Sequence, residues 1–144
     1  MPDLLSPKEG IKKLLIDAAA ISAVVGTKLF PSMAPQGENL PYGLYTRLAD
    51  ENDQHMGGAS GLRRARIAVE WFGLEATQVE DLAAATETVL DNYEGPSEIE
   101  DRQVYFDLIT KEEDEDGLVP PEDGKDAPIY TRRHTYEAWY RATE

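Results

Sequence analysis

The sequence predicts an α+β fold in which two helices pack on one face of a four-stranded antiparallel sheet, in the order α-β-β-α-β-β. Three observations lead there. Apolar residues recur at three-and-four spacing over 9–25 and again over 77–92, as on the buried stripe of a helix. Four other segments alternate in polarity or are rich in Thr, Tyr and Trp, as strands are. The length of 144 residues with 41% hydrophobic residues fits one domain, 1–144, with its own core.

Residues 9–25 place Ile11, Leu14, Leu15, Ala18, Ile21 and Val25 on one helical face, with Ser6 and Pro7 at the start and Gly26 as the stop. Thr27 to Pro41 carries three prolines and reads as ordered loop. Tyr42 to Leu48 alternates as the first strand. Asp50 to Gly61, with Gly57, Gly58 and Gly61, reads as a mobile connection reaching to about residue 62. In the second strand, Arg63 to Phe72, the apolar residues Ala65, Ile67, Val69 and Trp71 alternate with a largely polar face. Thr77-Gln-Val-Glu80 matches a capping box that opens the second helix, and Gly95-Pro96 closes it after Asn92. Gln103 to Thr110 and Ile129 to Arg141 are the third and fourth strands. Between them, 111–128 is an acidic loop, with Glu112, Glu113, Asp114, Glu115, Asp116, Glu122, Asp123 and Asp126 against Lys111 and Lys125. Its mutual repulsion predicts an extended, solvated segment.

Charge excludes several functions. Fourteen Lys and Arg oppose 28 Asp and Glu, a net charge of −14. A nonspecific nucleic-acid binder needs basic side chains for phosphates, and an anionic membrane needs a basic face. The apolar runs Ala18–Ile21 and Ser22–Val25 fall far short of the ~20 residues of a spanning helix. The start Met-Pro-Asp lacks the features of a signal peptide. Cysteine is absent, which removes disulfides, thiolate nucleophiles and cysteine-held metals. The expectation is a soluble acidic protein made in a cytoplasm.

The inventory for catalysis is thin. His55 with Asp53 and Ser60 supplies the residue types of a triad, but Gly58-Ala-Ser-Gly-Leu62 is not a nucleophile elbow, and a flexible loop does not hold three groups in register. His134 reads as a cross-strand neighbour, and no phosphate-binding glycine motif occurs. Glu112, Asp114, Asp116, Gly117 and Asp123 occupy positions 1, 3, 5, 6 and 12 of a calcium-loop spacing. Position 1 is Glu, position 12 is the shorter Asp, and Pro120-Pro121 stands where a helix would begin, so a solvated acidic surface is the plainer reading. The aromatics Tyr42, Tyr45, Trp71, Tyr105, Trp139 and Tyr140 fall on strands, where they fill a core or serve as subunit contacts. No enzyme, metal or cofactor is expected.

The run from Val25 to Arg47, Val-Gly-Thr-Lys-Leu-Phe-Pro followed by Ala-Pro-Gln-Gly, Leu-Pro-Tyr and Tyr-Thr-Arg, resembles the tail-completion, or tail-terminator, proteins of long-tailed bacteriophages. Ser60-Gly-Leu leading into Arg64–Trp71, the helix 77–92 followed by Tyr93-Glu-Gly, and the closing Ile129–Arg141 agree in order and spacing. The resemblance implies a small α+β subunit of the virion that assembles as a ring, usually of six, on the head-proximal end of the tail tube. It also implies the tail tube protein and a neck protein as partners, with genomic DNA only passing through the channel. On this reading the assembly contacts are Asp53, His55 and Met56 from the loop with Tyr45, Arg47 and Trp139 from the strands, and Glu112 to Asp116 form an acidic surface. The alternative is an acidic binding module, of calcium-loop or DNA-mimic type, that acts on a basic partner.

Overall fold

The computed structural model describes residues 3–35, 37, 39–52, 63–119 and 128–141. After a two-residue strand β1 (Asp3–Leu4), Pro7 sits in the first turn of α1 (Pro7–Ile16), where its missing N–H leaves no partner wanting. The single helix expected over 9–25 is two helices. Ala18 takes an extended conformation (φ −81°, ψ 119°) and α2 (Ala19–Val25) sets off in a new direction, packing against α1 and against a later helix. Gly26 (φ 64°, ψ −118°) ends α2 with its N–H on the Ser22 carbonyl at 2.8 Å, a positive-φ conformation that glycine adopts without a Cβ penalty.

Strand β2 (Leu29–Pro31) lies inside the segment expected to be loop. It runs parallel to β3 (Tyr42–Asn52), which pairs antiparallel with β4 (Arg63–Gly73). Helix α3 (Ala76–Leu90) begins before Thr77 with Glu75 as its N-cap, and no side-chain cap bond forms. The expected capping box is therefore an interior piece of the first turn. Gly95 and Pro96 belong to β5 (Tyr93–Ile99), which among the described residues pairs only with β6, and an edge strand tolerates a proline. β6 (Arg102–Val119) pairs along its length with β7 (Ile129–Arg141).

The sheet corrects the expected four-stranded antiparallel one. Among the described residues it has seven strands in the order β1-β6-β7-β4-β3-β2, with β5 on β6, and it is mixed, because β1 on β6 and β2 on β3 are parallel pairs. Three helices accompany it among the described residues. Residues 111–119, expected to be loop, are strand. Arg132 on the adjacent β7, Arg66 on β4 and Lys111 on β6 itself offset the repulsion that was expected to hold this stretch out of regular structure. Residues 50–52 finish β3, whereas 53–62 and 120–127 lie outside the described residues.

The core fills the space between the helices and one sheet face. Ile67, Trp71, Phe106, Tyr136 and Tyr140 point into it from the sheet, and Ile11, Leu15, Leu82 and Leu90 from the helices. The Trp71 indole N–H donates to Thr86 Oγ1 at 2.9 Å, which ties β4 to α3 through a buried polar pair. Two glycines set close approaches. A Cβ on Gly43 would stand 2.5 Å from the Trp71 ring, and one on Gly10 would stand 2.6 Å from Val104. The Ser97 hydroxyl donates to the Gly10 carbonyl at 2.8 Å, so α1 lies almost directly on β5 and β6.

Candidate functional site

The acidic run becomes a surface through strand geometry. Successive side chains of β6 and β7 alternate between the helix-covered face and the open face. Val69 and Trp71 fix the helix side, and His134 and Arg132 stand opposite them in register. Asp114 is paired with His134, and Asp116 with Arg132, so both aspartates look toward the helix side. Arg132 binds Asp114 with Nη2 2.8 Å from Oδ2 and reaches Asp116 at 3.2 Å. Lys111 Nζ lies 2.7 Å from Glu87 of α3 and 3.5 Å from Asp114. On the open face, Arg66 of β4 meets Glu112 at 2.9 Å and Glu113 at 3.3 Å.

These pairings shift the titrations. The hydrogen bond from Arg132 holds the Asp114 carboxyl down at about 2, against a smaller opposing effect of burial. His134 is 2% exposed. Its Nδ1 shares a 2.8 Å hydrogen bond with the Tyr136 hydroxyl. Its Nε2 lies 3.3 Å from Asp114 Oδ1 without the alignment of a hydrogen bond, and is the one buried polar side-chain atom among the described residues left without a partner. Burial pushes the His134 pKa down, more than the attraction of Asp114 lifts it. A groove of about 440 Å³ lies beside the cluster, between the start of α3 and the strand ends, lined by Ala76, Val79, Glu80, Asp116, Leu118 and Tyr130.

The calcium spacing does not gather one ligand shell from these residues. Glu112 faces Arg66 on the open side, Asp114 and Asp116 face Arg132 on the other, and Asp123 lies outside the described residues. Among the described residues no three His, Asp or Glu side chains are grouped to hold a metal. No helix there is long and apolar enough to cross a membrane.

The expected assembly contacts scatter. Tyr45 is corrected: it is 1% exposed in the core, and its hydroxyl donates to Glu9 Oε2 at 2.7 Å. Arg47 is exposed on β3, opposite Ile67 and beside a bulge. Trp139 lies half-buried on the open face under the Arg64 guanidinium, 5.3 Å from ring centre to carbon, and its indole N–H reaches Glu137 at 3.2 Å. Asp53, His55, Met56 and Ser60 lie outside the described residues. Glu112 to Asp116 do form one exposed acidic stretch, but on a strand. Sequence reading set Lys111 against the acidic run but missed the cations that reach it from other strands, Arg66 and Arg132. The available signal was Arg132-Arg133-His134 standing in a strand segment next in the chain after the acidic one.

No family model matches the chain, and no curated protein does. Among solved structures, a chain from the virion of a native gene transfer agent particle shares its fold. The two agree with a TM-score of 0.65 at 11% sequence identity, over 94% of this chain and 95% of that one. The likeness spans both chains almost end to end and establishes the common architecture.

Proposed function

We propose that this chain is a structural protein of a phage-like virion, and within it the tail terminator. In this reading six copies form a ring on the head-proximal end of the tail tube, stop its growth and offer a joining surface to the neck, in the host cytoplasm during assembly and in the virion thereafter. The observation that carries the reading is the likeness in fold to the gene transfer agent virion chain over 94% of the present one. The motif order from Val25 to Arg141 supports the finer assignment, because it is the order expected of tail terminators. A ring also gives exposed strand edges neighbours to pair with. Its acidic side chains would repel phosphates passing through the channel. The chain acts by assembly and has no catalytic role.

Electron cryomicroscopy of particles that carry this chain tests the assignment. The expected density is a ring between the tube and the neck, and deletion of the gene should give tails of uncontrolled length. Density at the distal tail tip, or particles without the chain, would refute it. The non-enzymatic reading is checked by replacing His55 and His134 together with Gln. Particles should still assemble, and loss of infectivity or transfer with a normal ring would contradict it.

A further inference from the structure

We propose that the outer edge of β6, from Glu113 to Val119, is a strand-addition site for an extended lysine- or arginine-rich segment of a partner protein. This inference does not depend on the virion reading. Its first support is the half-filled edge. The inner part of that edge is taken by β5, antiparallel from Ile99 opposite Arg102 to Tyr93 opposite Ile109. Just beyond it, Asn92 N–H donates to the Ile109 carbonyl at 2.6 Å, and the Lys111 N–H donates to Asp91 Oδ1 at 3.0 Å. From Glu113 onward no strand among the described residues pairs on that side, while the opposite edge stays bonded to β7 through Val119. Every residue from Glu112 to Val119 is exposed. The open length of seven residues spans roughly 20 Å, a full binding strand.

The second support is charge, and it selects the occupant. Of the five consecutive carboxylates Glu112 to Asp116, four pair with three cations, Arg66, Arg132 and Lys111, and Lys111 is also held by Glu87, while Glu115 stands opposite Arg133 in register. Carboxylates thus flank the edge on both faces, with Glu113 and Glu115 toward one and Asp114 and Asp116 toward the other. A second copy presenting the same edge would set acid against acid in a chain of net charge −14. Exposed edges are commonly guarded against self-association by charge, and here the guard also attracts the opposite sign. An incoming strand with alternate basic residues would place its ammonium or guanidinium groups beside one acidic row while its backbone completes the ladder. Leu118 and Val119, 56% and 45% exposed, would receive an apolar residue at its end.

The test uses the full chain and two synthetic ten-residue peptides of alternating lysine and valine. One peptide is unmodified, and the other is N-methylated on alternate amides, so that charge is kept and ladder formation is blocked. Calorimetry at low ionic strength should show binding of the first and a loss of about tenfold or more with the second. Hydrogen exchange read by mass spectrometry should show amides 113–119 slowed by the unmodified peptide. The triple change Glu113→Gln, Glu115→Gln, Asp116→Asn should weaken binding about tenfold while circular dichroism shows the same fold. Equal binding of the two peptides would reduce the effect to bulk charge and overturn the proposal. So would the absence of binding at about 1 mM peptide. Protection of 113–119 that rises with protein concentration alone would assign the edge to a second copy, and would overturn it equally.

Discussion

The two halves of β6 share one strand and one partner, yet different forces hold them. From Arg102 to Ile109 the strand has β5 on one side and β1, then β7, on the other, and Val104, Phe106 and Ile109 are fully buried beneath the helices. From Glu112 to Val119 every residue is exposed, and the ladder to β7 is supplemented by ion pairs to Arg66 and Arg132. Backbone pairing alone therefore does not grade the stability of a strand. Burial anchors the inner half, whereas the outer half keeps its place through bonds whose strength depends on solvent, salt and pH. Such a segment is suited to contact, since its ordering rests little on the core.

The largest test of this contrast is truncation of one apolar side chain in each half. Phe106→Ala should cost about 3–5 kcal/mol, the sum of lost burial and a residual cavity, whereas Leu118→Ala should cost less than about 0.5 kcal/mol. Urea denaturation measures both, and similar losses would abolish the distinction. Next in size is Asp114→Asn. It removes the charge that Arg132 grips and that stands beside His134, so a loss of about 1–2 kcal/mol is expected in the same assay.

Acid should separate the two residues of that cluster. Burial depresses the His134 pKa, so the unfolded chain binds the proton more readily than the folded one. That contribution to stability is complete above the unfolded value of ~6.5 and is lost progressively as pH falls below it. Asp114, held at about 2, contributes above its unfolded value of ~3.9 and loses that contribution as pH falls toward 2. The melting temperature should thus fall in two stages on acidification. His134→Gln should flatten the upper stage, which begins as pH falls below ~6.5, and leave the lower one in place. The smallest effect belongs to Glu112→Gln with Glu113→Gln, exposed partners of Arg66. A small drop in the urea midpoint is expected in dilute buffer, and none in ~1 M salt.

Much of the chain's secondary structure was legible, and the sheet was not. The segments 63–72 and 129–141 stood out because their side chains alternate between a buried face and one touching solvent, and the observed strands are Arg63–Gly73 and Ile129–Arg141. The two- and three-residue strands β1 and β2 are too short to show any period. β5 was hidden by Gly95-Pro96, which reads as punctuation unless its position on an edge is known. The outer half of β6 was hidden by its charges, because repulsion is a property of the segment alone and Arg66 and Arg132 arrive only by folding. Register shifts near Asp107 and Glu112 also break the alternation, so no single period runs through β6. The candidate surface was legible in composition, since Glu112 to Asp116 are exposed, while its shape came from neighbours that no local pattern announces. Tyr45 shows the reverse failure: an interface-type residue by kind, it is enclosed because α1 brings Glu9 to its hydroxyl.

The contrast between the chain's two tryptophans has an optical consequence. Trp71 is 1% exposed with its indole N–H bonded to Thr86, whereas Trp139 lies half-buried on the other face beneath Arg64. The first should emit toward the blue and resist a dissolved quencher such as iodide. The second should emit further to the red and feel whatever settles on the open face. With no other indole in the chain, Trp71→Phe and Trp139→Phe would separate the two signals. The molecule then carries its own pair of lamps, one dimmed only when the helices leave the sheet and the other when a neighbour arrives.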